Sequence, residues 1–165
     1  MVCEDALDRE KIWQRLWDMG RMGTEIVEVL AAFDVALWDL AAKAADVPLY
    51  KYLGACRDKV PAYASTFTQE TVADYEPLAR DCVERGYKAI KLHAFGEVKK
   101  DLEACRLVRE TVGDDIELML DASTAYTYEE ALWADRELEK LNFYWLEEPM
   151  RDYETTGLQE LHRRL

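Results

Sequence analysis

At 165 residues, half of them hydrophobic and a third charged, the chain is long enough to bury a core and too apolar to be disordered. Its formal net charge of −13 has the wrong sign for a phosphate backbone or an anionic membrane surface, which argues against nucleic-acid and membrane partners. No apolar run reaches membrane-spanning length, the opening MVCEDALDRE is acidic where a secretory signal is basic, and Cys3, Cys56, Cys82 and Cys105 form no CxxC pair, so a cytoplasmic protein with reduced thiols is expected.

Residues 1–57 read as helical. Trp13 and Trp17 stand one helical turn apart, and after the Met22-Gly23 break Thr24 is placed to cap a longer helix reaching about Asp46. Its apolar positions, Ile26, Val27, Leu30, Phe33, Leu37, Trp38, Leu40 and Ala41, cover more than one face, which predicts wide burial. Asp39 and Lys43 are spaced to pair, and Pro48 and Gly54 are the stop signals that follow.

From residue 58 to 165 the pattern becomes strand and helix in alternation. VPAYAS (60–65) reads as a strand, and 72–84 as a helix stopped by Gly86. YKAIKLH (87–93) is a second strand, followed by a helix over about 98–112 stopped by Gly113. IELMLD (116–121) is a third strand. Thr127 and Glu130 form a capping box for a helix to about Lys140, FYWLE (143–147) is a fourth strand, and a last helix starts at Thr155. The strand ends at Ser65, Lys91, Asp121 and Glu147 recur at intervals of 26, 30 and 26 residues. That period implies four βα units with parallel strands, an α/β fold. It fits a β/α barrel and a doubly wound sheet alike. No glycine-rich phosphate loop follows a strand, which removes the usual support for a dinucleotide or P-loop fold.

Ligands of parallel βα folds bind beyond the carboxyl ends of the strands. The polar residues there are Ser65 and Thr66, Lys91 and His93, Asp121 and Ser123, and Glu147 and Glu148. Alternation along a strand puts Lys91 with His93 on one face, Met119 with Asp121, and Trp145 with Glu147, and turns Glu148 away from Glu147. Two carboxylates from adjacent strands suit a hard cation such as Mg²⁺. The Lys–His pair supplies a base, each cation discouraging protonation of the other. Together these are the parts needed to remove a proton α to a carboxylate while a metal holds the developing charge. Any one of them alone also fits a solvated strand end, and Lys91 alone fits a salt bridge to Asp121. Phe67, Phe95 and Tyr126, just after strands, are candidates to line the pocket.

VLAAFDVALWDLAAKAADVPLYKYLGACRDKVPAYAS, GYKAIKLH, LMLDAS and WLEEP resemble, in order and spacing, the mandelate racemase and muconate lactonising branch of the enolase superfamily. The resemblance implies the helical end of a capping domain over 1–57 and the first half of a TIM-type (β/α)8 barrel over 58–165. It implies Mg²⁺ bound by Asp121 and Glu147, and Lys91 and His93 at the places of the family's Lys-x-Lys acid/base motif, with His93 a departure from the second lysine. Ser65, Thr66, Ser123 and Glu148 are supporting or substrate-binding candidates, and Ser123 stands where asparagine is common. A full barrel takes about 250 residues, so the resemblance implies an internal stretch of an enzyme more than twice this length. A third metal carboxylate and an opposite-face acid/base would then lie beyond Leu165. The expected activity is a Mg²⁺-dependent hydro-lyase, an acid-sugar dehydratase acting on a small-molecule carboxylate as a homo-oligomer. Racemisation, epimerisation or cycloisomerisation of such a substrate is the alternative, and an inactive half-barrel serving as a structural or oligomerising piece is another.

Overall fold

The computed structural model describes residues 4–20 and 27–164, so Cys3, the Met22-Gly23 break, Thr24 and Ile26 lie outside the described residues. The chain divides into two compact units, Met1–Val60 and Pro61–Leu165.

The first unit carries α1 (Arg9–Gly20), α2 (Val27–Ala44) and the short α3 (Leu49–Tyr52). Ile12 and Leu16 of α1 meet Leu30 of α2 in a small core flanked by Trp13 and Leu37. Trp13 and Trp17 stack at 5.5 Å between ring centroids. Asp39 and Lys43 pair at 2.7 Å. The wide burial expected of α2 does not hold: Leu30, Ala41 and Ala42 are its buried residues, while Val27, Phe33 and Leu40 are exposed. Among the described residues of this unit, α1 and the short α3 pack on α2, and α1 offers a single apolar stripe.

The second unit contains β1 (Ala64–Ser65), α4 (Tyr75–Glu84), β2 (Ala89–His93), α5 (Val98–Val112), β3 (Glu117–Asp121), α6 (Tyr128–Lys140), β4 (Phe143–Glu147) and α7 (Thr155–Arg164). The capping box at Thr127 and Glu130 opens α6 as its spacing predicts. Two elements differ from the sequence reading. β1 pairs over two residues only, Ala64 and Ser65 against Ile90 and Lys91, where six strand residues were expected. The helix expected from residue 72 begins as a 3-10 turn, Val72–Asp74, and Pro77 sits in the first turn of α4, where a missing N–H is tolerated.

The four strands are parallel, in the order β1-β2-β3-β4. A doubly wound sheet reverses its strand order and this one does not. Ile90, Leu92, Leu118 and Leu120 pack outward against Ala79, Leu102, Cys105, Val108 and Ala131 of the helices. On the other face, Tyr63 beside β1 touches Trp145 of β4, edge to face, with centroids 5.9 Å apart. Those residues belong to opposite edges of the sheet, three strand spacings or about 14 Å apart along a flat surface. The sheet is therefore strongly curled, with that face concave, as in a run of four βα units of a barrel.

Candidate active site at the strand ends

The register sets the site in two rows. Ser65, Lys91, Met119 and Trp145 lie across the sheet in one row, and His93, Asp121 and Glu147 form the next. Between Leu118 and Met119 the pairing of β3 with β4 slips by one residue, from Leu118↔Phe143 to Met119↔Trp145, so that Tyr144 is a bulge. The slip has a large consequence. Phe143 packs outward on the core, and strict alternation would send Trp145 and Glu147 outward with it. The extra residue instead delivers both to the concave face, while Leu146 takes the outward place.

Lys91 is at the centre. Its Nζ lies 3.1 Å from Asp121 Oδ2 and 2.9 Å from Glu147 Oε1, and His93 Nε2 lies 3.2 Å from Asp121 Oδ2. The far oxygens are tied to the scaffold. Ser123 donates its backbone N–H (2.9 Å) and hydroxyl (3.3 Å) to Asp121 Oδ1, and the indole N–H of Trp145 donates to Glu147 Oε2 at 3.1 Å. The Tyr63 ring lies 5.5 Å from Lys91 Nζ.

Burial works against the Lys91 ammonium, and its hydrogen bonds to Glu147 and Asp121 outweigh that, so its pKa stands above the ordinary value. Burial likewise opposes the Asp121 carboxylate, and the Ser123 N–H with the neighbouring Lys91 and His93 brings its pKa below the ordinary value. The expectation that Lys91 and His93 discourage each other's protonation is thus corrected for Lys91, because two carboxylates lie closer to its charge than any cation does. Lys91 is held as a positive charge between the two carboxylates.

The backbone around the site is held from behind. The Tyr75 hydroxyl donates to the His93 carbonyl at 2.5 Å. Asp101, in the first turn of α5, accepts from Phe95 N–H (2.6 Å) and from the Tyr126 hydroxyl (2.8 Å). Parallel pairing continues past the strands, from Ala122 N–H to the Glu147 carbonyl, Thr124 N–H to Glu148 and Tyr126 N–H to Pro149. Ser123, Thr124 and Glu148 all have positive φ, at 48°, 62° and 41°. Strained backbone of this kind collects at functional loops.

The supporting candidates divide. Ser65 is exposed beside Lys91 in register. Thr66 is buried and its hydroxyl donates to the Lys91 carbonyl at 3.1 Å, so it braces β2. Ser123 serves Asp121. Glu148 is exposed, and with φ at 41° it has left the extended conformation, so its direction is set by that turn rather than by strand alternation. Tyr126 is buried with its hydroxyl on Asp101 and borders a cavity with Ser123, Thr124 and Arg151, and Phe95 packs edge-on to Tyr75. Phe67 is exposed. Sequence reasoning missed Tyr63, Tyr75, Asp101 and the donor role of Trp145. The pairing of Trp145 with Glu147 by alternation was the one local signal.

Two carboxylate oxygens on adjacent strands converge on a single positive charge, which is the ligand chemistry Mg²⁺ takes. Among the described residues no group of three or more His, Cys, Asp or Glu side chains converges to hold a metal. Asp121 and Glu147 therefore fit part of a Mg²⁺ shell, and water and other ligands would complete it.

Residues 74–165 match the family described as enolase C-terminal domain-like, and residues 1–54 match the mandelate racemase / muconate lactonizing enzyme N-terminal domain. The chain is 36% identical to an arabinonate dehydratase of Saccharolobus solfataricus, over 93% of this chain and 43% of that protein. It is 35% identical to a 3,6-anhydro-alpha-L-galactonate cycloisomerase of Streptomyces coelicolor, over 90% of this chain and 43% of that one. The crystal structure of D-glucarate dehydratase from Agrobacterium tumefaciens complexed with magnesium superposes with a TM-score of 0.90 at 42% identity, covering 98% of this chain and 46% of the other. The chain spans less than half the length of these relatives. With this strand order, this curl and these matches, it belongs to the mandelate racemase and muconate lactonising branch of the enolase superfamily.

Proposed function

We propose that the chain forms part of a Mg²⁺-dependent enzyme that removes the proton α to the carboxylate of a sugar acid, and that the outcome is dehydration. The observation that carries this reading is the convergence of Lys91, His93, Asp121 and Glu147 at the ends of three successive strands. Asp121 and Glu147 would hold the metal, which when bound supplies a Lewis acid for the substrate's carboxylate. His93 takes the α proton. Its Nε2 is 3.2 Å from Asp121 Oδ2, so the imidazolium formed is stabilised by that carboxylate. Lys91 stays protonated and adds positive charge where negative charge develops. In dehydration the β-hydroxyl then leaves as water and the enol product tautomerises to a 2-keto-3-deoxy acid.

In this reading residues 1–57 are the helical part of a capping domain, 58–165 the first half of a barrel, and the protein a homo-oligomer. Cycloisomerisation begins with the same proton removal and is the second reading, favoured by the cycloisomerase relative at nearly equal identity. Incubating the full protein with Mg²⁺ and a panel of aldonic and aldaric acids tests both. Formation of 2-keto-3-deoxy acids, lost in His93→Ala, is expected. Turnover of lactones or anhydro sugars without loss of water would transfer the assignment to the second reading, and no turnover of any acid would refute dehydration.

A further inference from the structure

We propose that Trp145 is a positioning residue for Glu147, its indole N–H holding one carboxylate oxygen so that the other faces the cation position. This rests on the proposed role of Glu147 as a metal ligand. Glu147 is the less enclosed of the two carboxylates, with its side chain 35% exposed against 9% for Asp121. A glutamate with three rotatable bonds loses affinity for any cation by the entropy of stopping those bonds, unless the protein has stopped them beforehand.

Asp121 has Ser123 for this purpose, with backbone and hydroxyl donors on Oδ1 while Oδ2 faces Lys91. Glu147 repeats the arrangement with a different donor. Trp145 Nε1 holds Oε2 at 3.1 Å and Oε1 faces Lys91 at 2.9 Å. Each carboxylate has one oxygen on the scaffold and one in the site. A neutral donor suits the task, because it fixes the carboxylate without cancelling the charge that attracts a cation.

The donor itself is well held. The ring of Tyr63 meets Trp145 at 80° with centroids 5.9 Å apart, and Tyr144 lies against it at 5.2 Å. The bulge at Tyr144 turns Trp145 and Glu147 to the concave face together, so donor and acceptor cannot be separated by a change of register. A tryptophan serving only as filler has no need to direct its N–H at a carboxylate. Among the described residues Trp145 is the one tryptophan whose indole donates to a side chain.

Two measurements on the full protein test this. Trp145→Phe keeps an aromatic ring and removes the donor. Calorimetric titration with Mg²⁺ is expected to show affinity weakened about 3–10-fold, the worth of one ordinary hydrogen bond, with the melting temperature little changed. In a Glu147→Gln background the same substitution is expected to add nothing. Equal weakening in both backgrounds, or no weakening in either, would overturn the proposal. The second measurement needs no metal and retains Trp145. Glu147→Gln is expected to move the Trp145 indole N–H resonance in a ¹⁵N-labelled sample, and an unmoved resonance would overturn the contact. If the unsubstituted protein took up no Mg²⁺, the metal-site reading would fall, and the indole resonance would still decide whether Trp145 holds Glu147.

Discussion

Asp121 at the end of β3 and Glu147 at the end of β4 sit side by side in register, yet their surroundings differ. β3 is buried along Leu118–Asp121, pairs with a neighbour on each side and delivers its carboxylate by simple alternation. β4 is a partly exposed edge, and it delivers its carboxylate only because an inserted residue resets the alternation. Asp121 is braced by a backbone N–H, which no side-chain substitution short of proline removes. Glu147 is braced by a side chain. One half of the site is thus built into the fold, while the other depends on a bulge and one tryptophan.

Inserting an alanine between Trp145 and Leu146 breaks the comparison most severely. With Tyr144 already bulged, the added residue should turn Leu146 to the concave face and Glu147 to the outward face, where a carboxylate meets the helix core at a cost of about 3 kcal/mol or more. Denaturant unfolding and Mg²⁺ titration check this, and both stability and binding should fall together. Lys91→Met comes next, because it strips Asp121 of its closest cation in a place where both side chains are less than a tenth exposed. A loss of about 3 kcal/mol in unfolding free energy is expected.

The same pair has a pH signature. The Asp121 pKa is lowered on folding, so its contribution is full above the ordinary value of 3.8 and is lost as pH falls through the folded value. The Lys91 pKa is raised, so its share is full below the ordinary value of 10.5 and is lost as pH rises through the folded value. Thermal melts should therefore show a Lys91-dependent loss of stability in acid below pH 3.8, absent in Lys91→Met. Ser123→Ala should have the smallest effect, about 0.5 kcal/mol, since it removes a 3.3 Å hydroxyl contact and leaves the 2.9 Å backbone donor in place.

What could be read from residues alone follows the same division. Helix caps and stops are local, so Thr127 with Glu130, Gly86 and Gly113 marked their boundaries correctly. Alternation is local too, and it grouped Lys91 with His93 and Met119 with Asp121. The bulge has no local mark, because FYWLE contains neither glycine nor proline and reads as an unbroken strand. Trp145 and Glu147 were put on one face correctly, but which face that is depends on the pairing with β3. Sheet curl has no local mark either, so spacing left barrel and doubly wound sheet equal until strand order and the Tyr63–Trp145 contact separated them. The overestimated burial of α2 has the same root, since a helix's apolar surface does not say how much partner surface exists.

Glu147, and not its neighbour Glu148, is proposed to complete a cation site with Asp121. Calorimetric titration of the full protein with Mg²⁺ tests it most directly, comparing Glu147→Gln with Glu148→Gln. At least a tenfold loss of affinity is expected for Glu147→Gln, about 1.4 kcal/mol, and little change for Glu148→Gln. A larger loss for Glu148→Gln would contradict it.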